Sequence, residues 1–417
     1  MLSPLFAQLD TIIDHQREMQ IAFLQRLVQT RSANPYTPER SDPADPIEYE
    51  VAHLIHAELE RIGLSPEFQG VSPQRPNVIA RLPGRESRRA LILNGHMDTV
   101  MPSPFWTNDP FAGEITEGRL YGLGALDMKA SLSLFVFAAR ALVEAGVRLR
   151  GDLILTFVVD EEPGACSPFG SSYLLDHGLT ASAAIVAEPM NQNVTIGHRG
   201  GYRFKLTVRG EAAHTGLTAW ERREQGKNGI TDMARVITAL QDLAIPYQET
   251  PAFLGRRPVF TFPTLIQGGT SINTVPDECT AYGDVRLLPG ADAEMVEQLI
   301  RTRLAALDDL DYTLEKLLFV PAVEIAPDEP IAQILARHTA EITGQPPTLL
   351  GCGPWNDGWM FITRGIPAIC GFGPNGAGVH SPDEYVELDS LIETTRLFVR
   401  GIVEYLEPDE PDPAIQP

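Results

Sequence analysis

Three short, almost uninterrupted apolar runs restrict the fold of this 417-residue chain more than any other feature. They cover residues 90–93, 153–159 and 183–186. Runs of this length are typical of strands covered on both faces, as in a parallel sheet between two layers of helices. An almost wholly apolar helix is predicted at 129–145, between the first two runs. This part of the chain is therefore predicted to be an α/β domain with a mostly parallel sheet flanked by helices.

Side chains that can bind metal follow each of these runs. His96 comes after the first run, the pair Glu161-Glu162 after the second, and Glu188 after the third. Because the carboxyl ends of parallel strands lie at one edge of a sheet, where α/β proteins bind ligands, these side chains are expected to lie close together. Asp98, two residues after His96, is placed to accept a bond from the second ring nitrogen of a metal-bound imidazole.

Two further candidates lie outside the runs. Asp127 directly precedes the apolar helix, where an aspartate can cap the helix or can bridge two cations; the second interpretation is favoured because of the other donors. His380 follows much later in the chain. Two imidazoles and several carboxylates suit a pair of divalent cations, with zinc the first choice and cobalt or manganese as alternatives, and a spare carboxylate can act as a general base.

The pattern of residues changes near Gly200 and indicates a second domain. Apolar and polar residues now alternate, with Tyr202, Phe204, Leu206 and Val208 on one face, as in a sheet with one wet side. The predicted order of elements is β-α-β-β-α-β, which is typical of a small ferredoxin-like α+β unit. If His380 completes a site formed before Gly200, this unit is an insertion. The predicted domains are 1–199 with 320–417, which bind metal, and the inserted 200–319.

Charge and composition exclude some partners. The net charge of −22 repels nucleic-acid backbones and anionic membrane surfaces, so neither is expected as a partner, and an anionic substrate would need a local arginine. No segment approaches the ~20 apolar residues of a membrane span, and residues 1–6 lack a basic signal region. The four cysteines are widely spaced and are expected to be reduced. These features favour a cytoplasmic protein, and residues 407–413 are predicted to form a loose acidic tail.

With these motifs the chain resembles the M20 family of co-catalytic metallohydrolases, which includes acetylornithine deacetylase, succinyl-diaminopimelate desuccinylase, aminoacylase-1 and the glutamate carboxypeptidases. The resemblance extends over nearly the whole chain. The segments that carry it are 95–100, 122–129, 160–162, 187–189, 210–214, 268–276 and 380–384. It implies a zinc-peptidase-like catalytic domain and an inserted domain that acts as a lid and in dimerisation.

The resemblance also assigns roles to the candidate metal donors. His96 and Glu188 are expected to hold one metal ion, and Glu162 and His380 the other. Asp127 is expected to bridge the two ions, and its peptide bond to Met128 is expected to be cis.

The same resemblance assigns the remaining catalytic and binding roles. Glu161 is expected to be the general base. His214 matches a lid-domain histidine that, in dimers, reaches the neighbouring active site and stabilises the oxyanion. Asn273 and Arg286 match positions that contact substrate; a surface ion pair is the alternative for Arg286. A homodimer through the inserted domain is therefore expected.

Two segments depart from the family pattern. Residues 163–170 replace a shorter glycine-rich turn after the acidic pair, and 353–357 replace a Gly-Thr-Ser/Thr-Asp run. Trp355, in the second segment, can supply an apolar or stacking wall. Both segments leave the substrate open.

The expected function is metal-dependent hydrolysis of the amide bond in an N-acyl amino acid or a related small amide. A metallo-carboxypeptidase or dipeptidase is the alternative within enzymes, with a dipeptide-like substrate. A catalytically silent binding protein on the same fold is the alternative of another class. That last reading predicts the loss of Glu161 or of a metal donor, and all of them are present.

Overall fold

The computed structural model describes residues 2–37, 40–86 and 89–407, so residues 408–413 of the predicted acidic tail lie outside the described part. The described chain divides into two compact units. Unit 1 comprises the residues before Arg199 and after Val323, and unit 2 comprises Arg199–Val323.

Unit 1 contains helices and strands in alternation. Its elements before unit 2 are α1 (Leu2–Gln29), α2 (Tyr49–Arg61), β1 (Glu67–Gln69), β2 (Asn77–Leu82), β3 (Ala90–His96), β4 (Glu114–Thr116), β5 (Arg119–Tyr121), α3 (Ala130–Glu144), β6 (Asp152–Val158), α4 (Ser171–Asp176), β7 (Ala183–Val186) and β8 (Val194–His198).

Unit 2 contains two long helices and four long strands, with shorter elements between them. In chain order they are β9 (Gly200–Arg209), β10 (Ala213–His214), α5 (Thr218–Glu221), α6 (Gly229–Leu240), β11 (Val259–Gly268), β12 (Thr274–Val275), β13 (Glu278–Leu287), α7 (Ala293–Leu304) and β14 (Asp311–Val320).

The chain then leaves unit 2 through a two-residue strand and completes unit 1. These elements are β15 (Val323–Glu324), α8 (Pro330–Thr343), β16 (Leu349–Cys352), α9 (Gly358–Ile362), β17 (Ala368–Ile369), β18 (Gly376–Ala377), β19 (Tyr385–Glu387) and α10 (Leu388–Leu406).

The central sheet of unit 1 has the strand order β1-β2-β6-β3-β7-β17. The four strands from β6 to β17 are parallel, whereas β1 and β2 add an antiparallel margin. The predicted mostly parallel sheet is therefore confirmed. Because β3, β6 and β7 are parallel neighbours, the residues that follow them meet at one edge of the sheet.

Apolar packing explains why the three runs form strands. The side chains of β3, β6 and β7 are almost all buried, and α3 is buried over most of its length. The ring of Phe135 on α3 packs against Phe157 of β6 and Phe398 of α10, with centroids 5.9 and 6.0 Å apart. Helices thus cover the sheet and exclude water from the strands. No described helix has the length and apolar character that a membrane span requires.

Unit 2 has a four-stranded antiparallel sheet in the order β11-β13-β9-β14. Its six main elements follow the order β9-α6-β11-β13-α7-β14, which is the predicted ferredoxin-like arrangement. Alternate residues of β9 and β13 pack with α6 and α7 in one apolar core. The alternation seen near Gly200 arises because the other face of this sheet carries polar side chains.

Candidate metal centre

Two groups of metal-donor side chains lie at the edge of the central sheet and share Asp127. In the first group, Nε2 of His96 lies 3.2 Å from Asp127 Oδ1 and 3.8 Å from Glu188 Oε1. In the second, Nε2 of His380 lies 3.3 Å from Asp127 Oδ2 and 3.1 Å from Glu162 Oε2. One carboxylate therefore directs one oxygen to each group.

These separations fit donors that bind a common ion. Two donors bound tetrahedrally to zinc at ~2.0–2.1 Å lie ~3.4 Å apart. Within each group all three donor atoms lie within 4.8 Å of one another. Mixed imidazole and carboxylate donors suit divalent transition metals. The side chains present thus fit two ions, one for each group.

The two groups differ in their access to solvent. The His96 side chain is only 2% exposed, whereas that of His380 is 52% exposed. His380 lies in a loop and has a left-handed backbone (φ 57°). His380 is therefore the donor of the two groups that is most open to solvent.

The main chain of Asp98, two residues after His96 at the end of strand β3, fixes the orientation of the His96 imidazole. Nδ1–H of His96 donates to the backbone oxygen of Asp98 (2.9 Å), so Nε2 is the ring nitrogen that faces Asp127 and Glu188 and is left to bind a metal ion. The Asp98 carboxylate, predicted to accept this bond, lies 3.6 Å from Nδ1, which is too long for a hydrogen bond. Asp98 thus orients His96 through its main chain.

The Asp98 carboxylate instead holds the acidic pair. Oδ1 accepts from the backbone N–H of Glu161 (3.2 Å) and Oδ2 accepts from that of Glu162 (3.1 Å). The backbone N–H of Val100 donates to Oε1 of Glu162 (3.1 Å), and this bond leaves Oε2 beside His380. A single buried aspartate therefore links the first histidine with the pair that follows β6.

The charges of the cluster perturb its pKa values. Burial and, next, the charge of Glu188 raise the pKa of Glu161 well above its ordinary value, against the opposing effect of His96. Hydrogen bonds to Asp127 and Glu162 raise the pKa of His380 to about 10. Burial opposes ionisation of Asp127, but bonds from His380 and His96 outweigh it and lower the pKa of Asp127. The metal-free cluster therefore retains protons that a metal ion has to displace.

A buried ion network that the sequence did not reveal lies next to the acidic pair. Arg75, fully buried, donates to both oxygens of Glu48 and to Oδ1 of Asp160 (2.9 Å). Asn34 donates to Asp98 and Asp160, both at 2.9 Å. Asp160 has a left-handed backbone (φ 64°), a conformation that aspartate tolerates better than most residues. The network holds Asp160 in place, and with it the turn that leads into Glu161.

Replacing Arg75 by alanine is expected to lower the free energy of unfolding by about 3–5 kcal/mol, because it leaves buried carboxylates without their cation. Urea denaturation of the metal-free protein measures this loss. Arg150→Ala is the matched control, since the ion pairs of Arg150 are about half exposed and typically contribute about 0–1 kcal/mol. Equal losses in the two variants would contradict the role given to Arg75.

Glu384, which had no individual role assigned to it from sequence, holds the turn that carries Asp127. The Glu384 carboxylate accepts backbone N–H bonds from Gly124 (3.1 Å), Leu126 (2.8 Å) and Asp127 (2.8 Å). The peptide bond between Asp127 and Met128 is cis, as expected. Burial raises the pKa of Glu384 to about 8, although the three N–H bonds act in the opposite direction.

The two segments that depart from the family pattern contact each other. Indole Nε1–H of Trp355 donates to the backbone oxygen of Gly164 (2.8 Å), and that of Trp359 donates to the oxygen of Ala165 (2.7 Å). Two tryptophans therefore fix the loop that follows Glu161-Glu162. Trp355 thus braces this loop, and its role as an aromatic wall of the substrate site stays a prediction.

The remaining candidate residues belong to unit 2. His214 on β10 pairs in register with Thr274 of β12, next to Asn273, and its Nδ1 accepts from the backbone N–H of Gly216 (3.1 Å). Arg286 lies on β13 and its Nε donates to Asp284 (2.7 Å). His214 and Asn273 thus lie together, whereas Arg286 lies near the start of β9, opposite Gly201.

Comparison with known proteins agrees with this geometry. Residues 92–404 match the model of peptidase family M20/M25/M40. An N-formyl-4-amino-5-aminomethyl-2-methylpyrimidine deformylase from Halalkalibacterium halodurans is 28% identical, covering 94% of this chain and 96% of the relative. A succinyl-diaminopimelate desuccinylase from Methylobacterium radiotolerans is 30% identical, covering 80% and 85%. The structure of the dipeptidase Dug1p from Saccharomyces cerevisiae has a TM-score of 0.74, with 15% identity and coverage of 97% and 99%.

The family model covers most of the chain, so the protein belongs to peptidase family M20/M25/M40. The predicted family is thereby confirmed. The protein is a metal-dependent hydrolase that acts on amide bonds, as the class of its relatives and the two donor groups indicate.

Proposed function

We propose that this protein is a deacylase that removes a small acyl group from an N-acyl amino acid or a related small amide. The observation that carries the proposal is that two donor groups share Asp127. Glu161 directly precedes the donor Glu162 in the segment that follows β6. The relatives described as deformylase and desuccinylase, which match most of this chain, support the acyl-amide class.

Zinc is the proposed metal for both sites, with cobalt or manganese as substitutes on the same donors. His96 and Glu188 would hold one ion, Glu162 and His380 the other, and Asp127 both. Bound ions of this kind polarise a carbonyl and lower the pKa of a water ligand.

Glu161 is the proposed general base. Its carboxylate accepts a proton from the attacking water and later donates that proton to the nitrogen of the leaving amine. Burial raises the pKa of Glu161 above its ordinary value, and a carboxylate of higher pKa is a stronger base towards water. The Asp98 bonds to the backbone of the pair keep this carboxylate in place.

His214 is the proposed oxyanion donor. Because its Nδ1 accepts the Gly216 N–H bond, the ring proton resides on Nε2, which can then donate to the developing oxyanion. Strand β9 has ten residues and spans about 30 Å. His214 follows one end of β9 and Arg286 lies near the other, so a small amide that contacts both would have to contact two copies of unit 2.

This geometry supports the proposed homodimer, formed through unit 2. Strand β11 is an edge strand of the described sheet, and its Leu265 and Ile266 are 50% and 46% exposed. An exposed apolar edge can pair with the same edge of a second copy.

Arg286 and Asn273 are proposed to contact the substrate. Burial and then the charges of Arg256 and Arg286 lower the pKa of Arg199, so three guanidinium groups lie near one another in a chain of net charge −22. Such a concentration of positive charge suits a substrate carboxylate. We also propose a cytoplasmic location, which fits the four free cysteines.

Binding of two zinc ions near pH 7 is expected to release about two protons or more, one from each histidine. The pKa of His380 is raised to about 10 and that of His96 well above its ordinary value, so both are protonated in the metal-free protein and must lose a proton to bind metal. Zinc affinity should consequently fall as the pH falls. Calorimetry in buffers of different ionisation enthalpy measures the release, and His380→Ala should release about one proton fewer. Binding without proton release would contradict the assignment.

A substrate panel tests the proposed activity. Zinc-loaded protein is assayed with N-formyl, N-acetyl and N-succinyl amino acids, with N-formyl aminomethylpyrimidines and with dipeptides. The proposal requires faster hydrolysis of at least one acyl amide than of any dipeptide. Preference for dipeptides would support the peptidase alternative, and zinc binding without hydrolysis would support a binding protein.

A further inference from the structure

Glu384 connects two metal-donor segments that are distant in sequence. Its carboxylate, almost fully buried, accepts from the backbone N–H groups of Gly124, Leu126 and Asp127 at 2.8–3.1 Å. Its backbone oxygen accepts a fourth bond, from the N–H of Gly122 (3.0 Å). All four bonds go to the turn that presents Asp127.

The same glutamate follows His380 by four residues and ends the loop that contains it. His380 and Asp383 both have left-handed backbones (φ 57° and 60°), so the loop makes two sharp turns before β19 begins at Tyr385. On its other side, the Asp383 carboxylate accepts from the N–H and hydroxyl of Thr107 (2.9 and 2.7 Å). Glu384 therefore attaches the His380 loop to the buried turn that carries Asp127.

Two of the three donors of the first group, His96 and Glu188, do not depend on this attachment. His96 is the last residue of β3, and Glu188 follows β7 by two residues. Both strands lie inside the central sheet and are held by neighbours on both sides. Asp127 and His380, by contrast, lie on a turn and a loop that Glu384 joins.

We propose that Glu384 is a positioning residue that sets the geometry of the Asp127–Glu162–His380 site and thereby controls its affinity for the second metal ion. This inference rests on the proposed two-metal function. Mutation of a residue that holds metal ligands in place typically lowers metal affinity by about 10–100-fold. When Glu384 is replaced, the first site loses the alignment of Asp127 alone, whereas the second site loses that of both Asp127 and His380. The metal affinity of the second site should therefore fall more.

The test is a zinc titration of metal-free wild type and of Glu384→Gln. In the glutamine variant one of the two carboxylate oxygens becomes an N–H₂ group, which cannot accept a hydrogen bond. The variant therefore loses either the bond from Gly124 or the two bonds from Leu126 and Asp127, depending on which oxygen is replaced. Wild type should bind two zinc ions. The variant should keep one tight site within about threefold of wild type, and its second affinity should fall by about 10–100-fold.

Two further variants make the result specific. Glu18→Gln, the same chemical change at an exposed residue of α1, should keep both affinities close to wild type. Glu384→Asp keeps a carboxyl group but shortens the side chain, so its loss at the second site should be smaller than that of the glutamine variant. Circular dichroism and thermal melting show whether each variant is folded, and the aspartate variant carries the test if the glutamine variant is not.

The outcomes separate this role from the metal centre itself. Equal weakening of both sites, or no weakening of the second, would overturn the role of Glu384 while leaving two-metal binding intact. A wild-type stoichiometry below two would count against the proposed function, on which this inference rests.

Discussion

Glu161→Gln is expected to lower kcat by about 10³-fold and to leave the zinc content unchanged. The glutamine amide has nearly the same shape as the carboxylate but cannot accept a proton from water or return one to the leaving amine. Glu161 is not a member of either donor group, so zinc should remain bound. Steady-state kinetics with the best substrate of the panel, together with metal analysis, measures both quantities.

Glu18→Gln provides the matched control for this variant. Glu18 is exposed on α1, and the same chemical change there should leave kcat close to wild type. A Glu161→Gln enzyme that binds two zinc ions and retains normal turnover would show that another group moves the proton.

His214→Ala is expected to lower kcat by about 10²–10³-fold, the usual loss when one oxyanion donor is removed. Zinc content should not change, because His214 lies in unit 2 and the donor groups lie in unit 1. His15→Ala removes an exposed histidine on α1 and should have no such effect.

Mixing two inactive variants shows whether His214 acts on its own subunit or on the partner. If it acts across the dimer, a mixed dimer of His214→Ala and Glu161→Gln has one complete site, formed by Glu161 of the first chain and His214 of the second. Random exchange of subunits in a two-fold dimer should then restore about one quarter of wild-type activity. No recovery in a mixture shown to contain mixed dimers would exclude the proposed action in trans.

Four residues of the candidate site could be placed together from sequence because strand order and chemistry agree. His96, Glu161, Glu162 and Glu188 follow apolar runs that indicate buried strands, and parallel strands place their carboxyl ends together. The ferredoxin-like order of unit 2 was predictable for a similar reason, since strand alternation and helical periodicity are local patterns.

The supporting residues could not be located in this way. Arg75 follows a loop without periodic pattern, and its role depends on Glu48 and Asp160, which are far from it in sequence. Glu384 belongs to a segment that carried the family resemblance, but its bonds go to backbone N–H groups some 260 residues earlier. Contacts of this kind depend on the tertiary fold and leave no local signal in the residues that make them.

Diffraction from zinc-loaded crystals, recorded at the zinc absorption edge, tests the central claim most directly. Two anomalous peaks about 3.5–4 Å apart are expected in each chain. One should lie beside His96 and Glu188 and the other beside Glu162 and His380, with the Asp127 carboxylate between them. A single peak, or zinc bound only at other residues, would contradict the two-metal centre.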